Sequence, residues 1–196
     1  MNKILQSKKN FWLFLIPGIF LFSFNLGNNS GGTGTSENTT SITIQKKHKA
    51  VAVISPTYKD TAVSGKAFFT EKRNGNVYLK IKLHIPSKAN KEVAVHIHEH
   101  GDCGNMGMNT HGHWNPTKDK HGKWGSSHFH LGDIGNVKLD SKGNGTLKMN
   151  TNLWNIDGDS DGNILGRAII VHGGTDDYVT QPTGNAGGRI GCGVIQ

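Results

Sequence analysis

"EVAVHIHEHGDCG", Glu92 to Gly104, begins with the alternation of a β-strand and carries His96, His98 and His100 at every second position. Side chains alternate between the two faces of a strand, so Val93, Val95 and Ile97 share one side while Ala94, His96, His98 and His100 share the other. The valine side is expected to face a core and the histidine side to face outward. Imidazoles on a wet sheet face add nothing to packing that Thr or Lys would not, and an isolated pair would be an ordinary polar face. This pair is not isolated. Eight of the chain's 11 histidines fall between His96 and His130 (His96, His98, His100, His111, His113, His121, His128 and His130), far more than even scatter would place there. Neutral imidazole is a strong ligand for zinc and copper, which supplies a cause for such clustering. Tags and metal-scavenging tails lack the Gly, Pro and Asp punctuation and the flanking strands found here, so the cluster belongs to a folded site.

Outward from this segment the chain reads as strands, with no convincing helix. Apolar residues alternate in "HKAVAVIS" (48–55) and "NVYLKIKLHI" (76–85), and more roughly in "VSGKAFFTEK" (63–72). The last two are joined through "RNGN", where Asn74 and Gly75 are a strong hairpin signal. "GNVKLD" (135–140), "GTLKMN" (145–150), "GRAIIVHG" (166–173) and "GRIGCGVI" (188–195) follow. About eight short strands punctuated by turn residues predict an all-β fold, an antiparallel sandwich or barrel. Two long irregular segments interrupt the pattern, Gly101 to Asp133 and Gly173 to Gly187. Loops of that length in a compact domain are usually functional or disordered. The first holds most of the histidines and the second follows His172, so both are expected to converge on one site.

The first 26 residues start basic (Lys3, Lys8, Lys9) and continue as "FWLFLIPGIFLFSF", Phe11 to Phe24. That apolar run fits the core of a secretory signal and falls short of the ~20 residues that span a bilayer. No small-x-small cleavage site precedes Gly27, so an uncleaved N-terminal anchor, and with it a membrane tether, is the alternative to a cleaved signal. Residues 27–46 are rich in Gly, Ser, Thr and Asn and read as a flexible polar tether. Residues 47–196 are long enough for one domain with its own core. The formal charge is +8, from 22 Lys and Arg against 14 Asp and Glu. These cations are scattered and not interleaved with aromatics, which argues against nucleic acid and leaves an anionic small substrate open.

"HIHEHGDC", "GHWNP", "HG", "HLGDIGN", "GRAIIVHGGTDD" and "GNAGGRIGCGVI", in this order and spacing, resemble the signature segments of the copper/zinc superoxide dismutase family. The likeness runs from about Lys47 to the C-terminus. It implies an eight-stranded antiparallel Greek-key β-sandwich or barrel with two long functional loops, copper and zinc as cofactors, and superoxide anion as substrate; a homodimer is compatible with it. Position by position, it implies copper ligands at His96, His98, His113 and His172 and zinc ligands at His113, His121, His130 and Asp133, with His113 bridging both ions. It further implies that Asp176 links the outer nitrogens of His96 and His121, that Cys103 and Cys192 form a disulfide, that Arg189 receives the anion, and that His113 carries a proton. Three imidazoles and a carboxylate suit a closed structural zinc, and four imidazoles can leave copper an open position. The alternatives are a polar turn for Asp176, free thiols for the cysteines, a surface salt bridge for Arg189, and a non-enzymatic metal-binding module for the whole chain.

His100, His111 and His128 have no ligand role in that pattern and read as structural or solvent-exposed, with an accessory metal site as the alternative. His48 and His84 lie away from the cluster. "DGDSDGN" (157–163) starts like a calcium loop but has Ala168 where a bidentate Glu is required. "GNAGG" precedes a strand, not a helix N-terminus, and no Gly-x-Ser-x-Gly elbow accompanies His172. "YVTQPTGNAGG", Tyr178 to Gly188, has no charged residue where many members of the family carry steering charges, so guidance of an anion falls to Arg189 and distant lysines. The basic-then-apolar N-terminus and a cysteine pair suited to an oxidising compartment place the mature protein outside the cytoplasm, whether periplasmic, at the cell surface or secreted. Cell fractionation should find it there, and full-length soluble protein in the cytoplasm would contradict this.

Overall fold

Val77, Leu79, Ile81 and Leu83 are buried while Tyr78, Lys80, Lys82 and His84 between them face outward, the signature of a strand with one face on a core. The computed structural model describes residues 48–196 apart from position 159. The expected signal or anchor (1–26) and tether (27–46) lie outside the described residues. Eight strands are formed: β1 (Lys49–Pro56), β2 (Ser64–Glu71), β3 (Val77–His84), β4 (Glu92–His98), β5 (Gly135–Lys138), β6 (Asn144–Thr151), β7 (Ala168–His172) and β8 (Arg189–Val194). Each falls within a residue or two of its expected segment. The only helical pieces among the described residues are 3-10 turns at Pro86–Lys88 and Asn105–Thr110.

All pairings are antiparallel, in the order β5-β4-β7-β8-β1-β2-β3-β6. The two strands that end this order, β5 and β6, are consecutive in sequence and meet through the bridge Leu139↔Gly145, so the sheet nearly closes into a barrel. Asp140 builds the turn between them, its carboxylate accepting from the backbone N–H of Lys142 and Asn144, both at 2.8 Å. The connections β3 to β4 and β6 to β7 cross between distant strands, as in a Greek key.

The barrel is filled by inward residues of every strand, among them Ala52, Phe69, Leu79, Val95, Val137 and Val171. Trp154, in the segment between β6 and β7, closes one end. It packs edge-on against Phe69 and Trp124 and donates its indole N–H to the carbonyl of Leu131 at 2.9 Å. Nothing local in the sequence of residues 152–167 signals that role, since the partners of Trp154 are remote in the chain.

One expectation is corrected. The histidine side of β4 is not a wet face: His96 and His98 are buried, because both long loops fold over the outer surface of β4 and β7. The strand also ends at His98, and His100, beyond it, is exposed.

Cys103 and Cys192 are joined in a disulfide, and both pack on Ala168 and Ile170 of β7, so the bridge holds the first loop against the barrel. With its ends 89 positions apart in sequence, the cross-link contributes about 4 to 5 kcal/mol in the chain-entropy account. Replacing both cysteines by serine should lower the unfolding free energy in denaturant titrations by about that much. Thiol titration of the denatured, unreduced protein should find none, and two free thiols would contradict the bridge.

Candidate metal centre

Three hydrogen bonds place the histidines. Ile97, in the middle of the β4 histidine run, accepts from the backbone N–H of Trp114 and donates to the carbonyl of Gly132, and Gly132 N–H closes the ring on the Trp114 carbonyl, each at 2.9 Å. This brings His113 and the segment carrying His130 and Asp133 alongside His96 and His98. Only glycine fits at position 132, since a Cβ would stand 2.2 Å from the Ile97 carbonyl oxygen. β7, paired with β4, ends at His172.

Two clusters result, and they share His113. In the first, His96, His98, His113 and His172 each bring one nitrogen within 4.8 Å of the others; in the second, His113, His121 and His130 each bring one nitrogen and Asp133 one carboxylate oxygen, within the same distance. All seven residues are buried. Glu99, His100 and His111 form a third group, which is exposed.

The outer hydrogen bonds fix which nitrogen of each ring points inward. His98 Nδ1 donates to the His111 carbonyl at 2.8 Å and His172 Nδ1 to the Gly187 carbonyl at 3.0 Å. His130 Nε2 donates to the Asp119 carbonyl at 3.1 Å. His96 Nε2 and His121 Nε2 donate to the two oxygens of Asp176, at 2.8 and 2.9 Å. A carbonyl or carboxylate oxygen only accepts, so each outer nitrogen carries the proton and each inner one presents a lone pair. Consistent with this, His96 Nδ1, His113 Nε2, His121 Nδ1 and His130 Nδ1 are buried with no hydrogen-bond partner. His121 Nδ1 and His130 Nδ1 do lie 3.0 and 3.3 Å from Asp133 oxygens, but not in hydrogen-bonding geometry. His98 Nε2 and His172 Nε2 face each other at 3.4 Å, two lone pairs that only a cation can reconcile. Buried lone pairs converging in this way are costly in themselves and fit metal ions. Four imidazoles suit copper, and three imidazoles with a carboxylate suit zinc.

In the first cluster the electrostatics agree. Burial pushes His172 down to about 3 and His113 down to about 4, and burial with its neighbours His113 and His172 lowers His98, so these rings are neutral at pH 7. Burial also works against charge on His121, but the carboxylates of Asp133 and Asp176, one beside each ring nitrogen, outweigh it and raise that ring to about 9, so a cation entering the second cluster would replace a proton at Nδ1. Asp133 and Asp176 are held well below the usual carboxylate range by their histidine partners, against the opposing effect of burial.

Asp176 lies where it joins the two clusters and is not a turn residue in solvent. Asn136, at the end of "HLGDIGN", holds it through both backbone groups: Asp176 N–H donates to Asn136 Oδ1 and Asn136 Nδ2 donates to the Asp176 carbonyl, each at 2.9 Å. Gln181 clamps the backbone of His121 in the same two-way fashion. Neither amide was singled out from the sequence, because pairs that meet across 40 and 60 residues leave no local pattern. Gly184 is likewise required, as a Cβ there would lie 1.9 Å from Asp176 Oδ1.

Arg189, half-buried at the start of β8, donates to the Gly107 carbonyl, to Thr110 Oγ1 at 3.1 Å and to the His111 carbonyl at 2.6 Å. It is therefore no surface salt bridge, and the carbonyl of His111 that it touches is the one holding His98. His128 is exposed and paired with Asp119 at 2.8 Å, outside both buried clusters.

Residues 63–195 match the family model described as copper/zinc superoxide dismutase (SODC). A superoxide dismutase [Cu-Zn] from Yarrowia lipolytica is 38% identical over 156 residues, covering 75% of this chain and 96% of the relative. Superoxide dismutase [Cu-Zn] 1 from Aquifex aeolicus is 37% identical over 128 residues, covering 63% and 75%. An extracellular superoxide dismutase [Cu-Zn] from Caenorhabditis elegans is 35% identical over 124 residues; the match spans 60% of this chain and 55% of that longer protein. Among solved structures, that of the clock protein EA4 superposes with a TM-score of 0.66 at 33% identity, over 75% of this chain and 92% of that one. With a family match across most of the barrel and both loops, and relatives of this name matched nearly end to end, the chain belongs to the copper/zinc superoxide dismutase family and is an oxidoreductase whose metals are copper and zinc.

Proposed function

We propose that His96, His98, His113 and His172 hold copper, that His113, His121, His130 and Asp133 hold zinc, and that the chain disproportionates superoxide at the copper. The observation that carries this reading is the set of inward nitrogens, fixed on every ring but that of the shared His113 by an outer hydrogen bond from the opposite nitrogen. Copper, when bound, supplies the one-electron chemistry by which two superoxide anions and two protons become one dioxygen and one hydrogen peroxide. The chain's own residues do the rest. Asp176 and the His111 and Gly187 carbonyls keep the imidazoles oriented. His113 turns Nδ1 to Asp133 and Nε2 to the first cluster, and Nε2 is the atom that would hold a proton and pass it on whenever copper is not bound to it. Arg189 presents a guanidinium whose charge does not titrate in the physiological range, held beside the His98 support to receive a small anion.

We place this activity in an oxidising compartment outside the cytoplasm, periplasmic, cell-surface or secreted. The disulfide and the extracellular relative support that placement. An N-terminal tether and a homodimer belong to the same reading.

Two pairs of variants test the assignments. Asp133→Ala should weaken zinc and leave copper and part of the activity, while His172→Ala should leave zinc and abolish turnover; metal analysis beside a dismutation assay reads both. Equal loss of both metals in both variants would contradict the division. Arg189→Ala should keep both metals and lower the second-order rate constant by roughly tenfold or more, the scale on which a charge steers an anion into a cleft. Arg189→Lys should recover part of it. Wild-type activity with an unchanged salt response in fully metallated Arg189→Ala would place guidance elsewhere.

A further inference from the structure

Six of the 11 histidines lie in the two buried clusters, and the other five are accounted for unequally. His48 pairs with Glu71 at 2.9 Å, His84 with Asn144 at 2.9 Å and His128 with Asp119 at 2.8 Å. His100 and His111 have each other: their rings stand edge to face, 4.6 Å between centroids and 88° between planes. Glu99 completes the group, with one ligand atom from each residue lying within 4.8 Å of the others. All three residues are exposed, and none of the side chains is hydrogen-bonded or ion-paired to another described residue.

We propose that Glu99, His100 and His111 form a third, solvent-exposed site for a divalent transition-metal ion, separate from the two buried clusters. The fold brings the three together by continuing the ladder that aligns the buried histidines. His98 bridges His113, and two residues on, on opposite sides of the same pairing, His100 faces His111; Glu99 N–H donates to the Gly112 carbonyl at 3.1 Å and His100 N–H to the Thr110 carbonyl at 3.2 Å. Neither packing nor backbone asks for imidazole here. The residues are in water, and His111 has φ +61°, which Gly or Asn would adopt more readily. Two imidazoles and one carboxylate form the donor set of zinc or copper(II), not of calcium or magnesium, and leave positions for water. Ligand atoms about 2.1 Å from an ion stand roughly 3.4 Å apart in tetrahedral geometry, and solvent-exposed side chains without partners close the remaining gap by rotation. The site adjoins the working centre, since the His111 carbonyl holds both His98 and Arg189.

The test is zinc titration of the copper- and zinc-loaded protein, freed of excess metal, by calorimetry and by equilibrium dialysis with metal analysis. The wild type should take up one further equivalent. His100→Ala and Glu99→Gln should each weaken that uptake by about tenfold or more, since losing a ligand costs no less than losing a ligand's outer partner. In His100→Ala the dismutation rate and the two tightly held ions should be unchanged. The readout is the difference between wild type and variant, so it stands apart from how the buried clusters fill. Absence of the extra equivalent at millimolar zinc, or its persistence at equal affinity in His100→Ala, would overturn the proposal.

Discussion

The ring of backbone hydrogen bonds among Ile97, Trp114 and Gly132 fixes both buried clusters at once. Ile97 belongs to a barrel strand, Trp114 follows His113, and Gly132 precedes Asp133. One strand residue thereby registers two distant loop segments against His96 and His98. The arrangement tolerates no side chain at position 132 and leaves no slack, so the separation of the clusters is set by peptide geometry, not by flexible side chains.

A core that contains six imidazoles and two carboxylates carries a large desolvation cost unless each polar atom has a partner. The protein meets it from two directions. Outer nitrogens are bonded to carbonyls or to Asp176, which selects the tautomer, and the inner lone pairs are left for a cation. Metal affinity and folding would be coupled in such a design, because bound ions would neutralise a repulsion that the fold itself has built. Asp176 makes the two clusters a single unit, with one oxygen on His96 and the other on His121.

The loops that carry this chemistry lack regular structure of their own and depend on the barrel for order. β4 and β7 are buried on both faces, the barrel beneath and the loops above. The disulfide anchors the first loop to β8, Arg189 fastens it again through three acceptors, and Trp154 reaches from the β6–β7 segment to the Leu131 carbonyl. Arg189 is thus a strut for the peptide that supports His98, and its three acceptors suit a guanidinium fork better than an ammonium.

Local signals were sufficient to locate all eight strands: period-two alternation in segments such as β1 and β3, the Asn74-Gly75 turn, and turn residues bounding short apolar runs such as the fully buried β7. The resemblance of six short motifs pointed to the family, and His96, His98, His113, His121, His130, His172, Asp133 and Asp176 do come together as it implied. Alternation also implied a wet histidine face on β4, and there it failed, because what covers a strand is decided by loops remote in sequence. The same limit hid Asn136, Gln181 and Trp154, whose partners are 40, 60 and 23 residues away. His100 and His111 show the division most sharply. Their residue types could be read directly from the chain, but whether they joined the buried clusters, stood alone in solvent or faced each other depended on where β4 stopped and how the loop returned, and only the tertiary structure decides that.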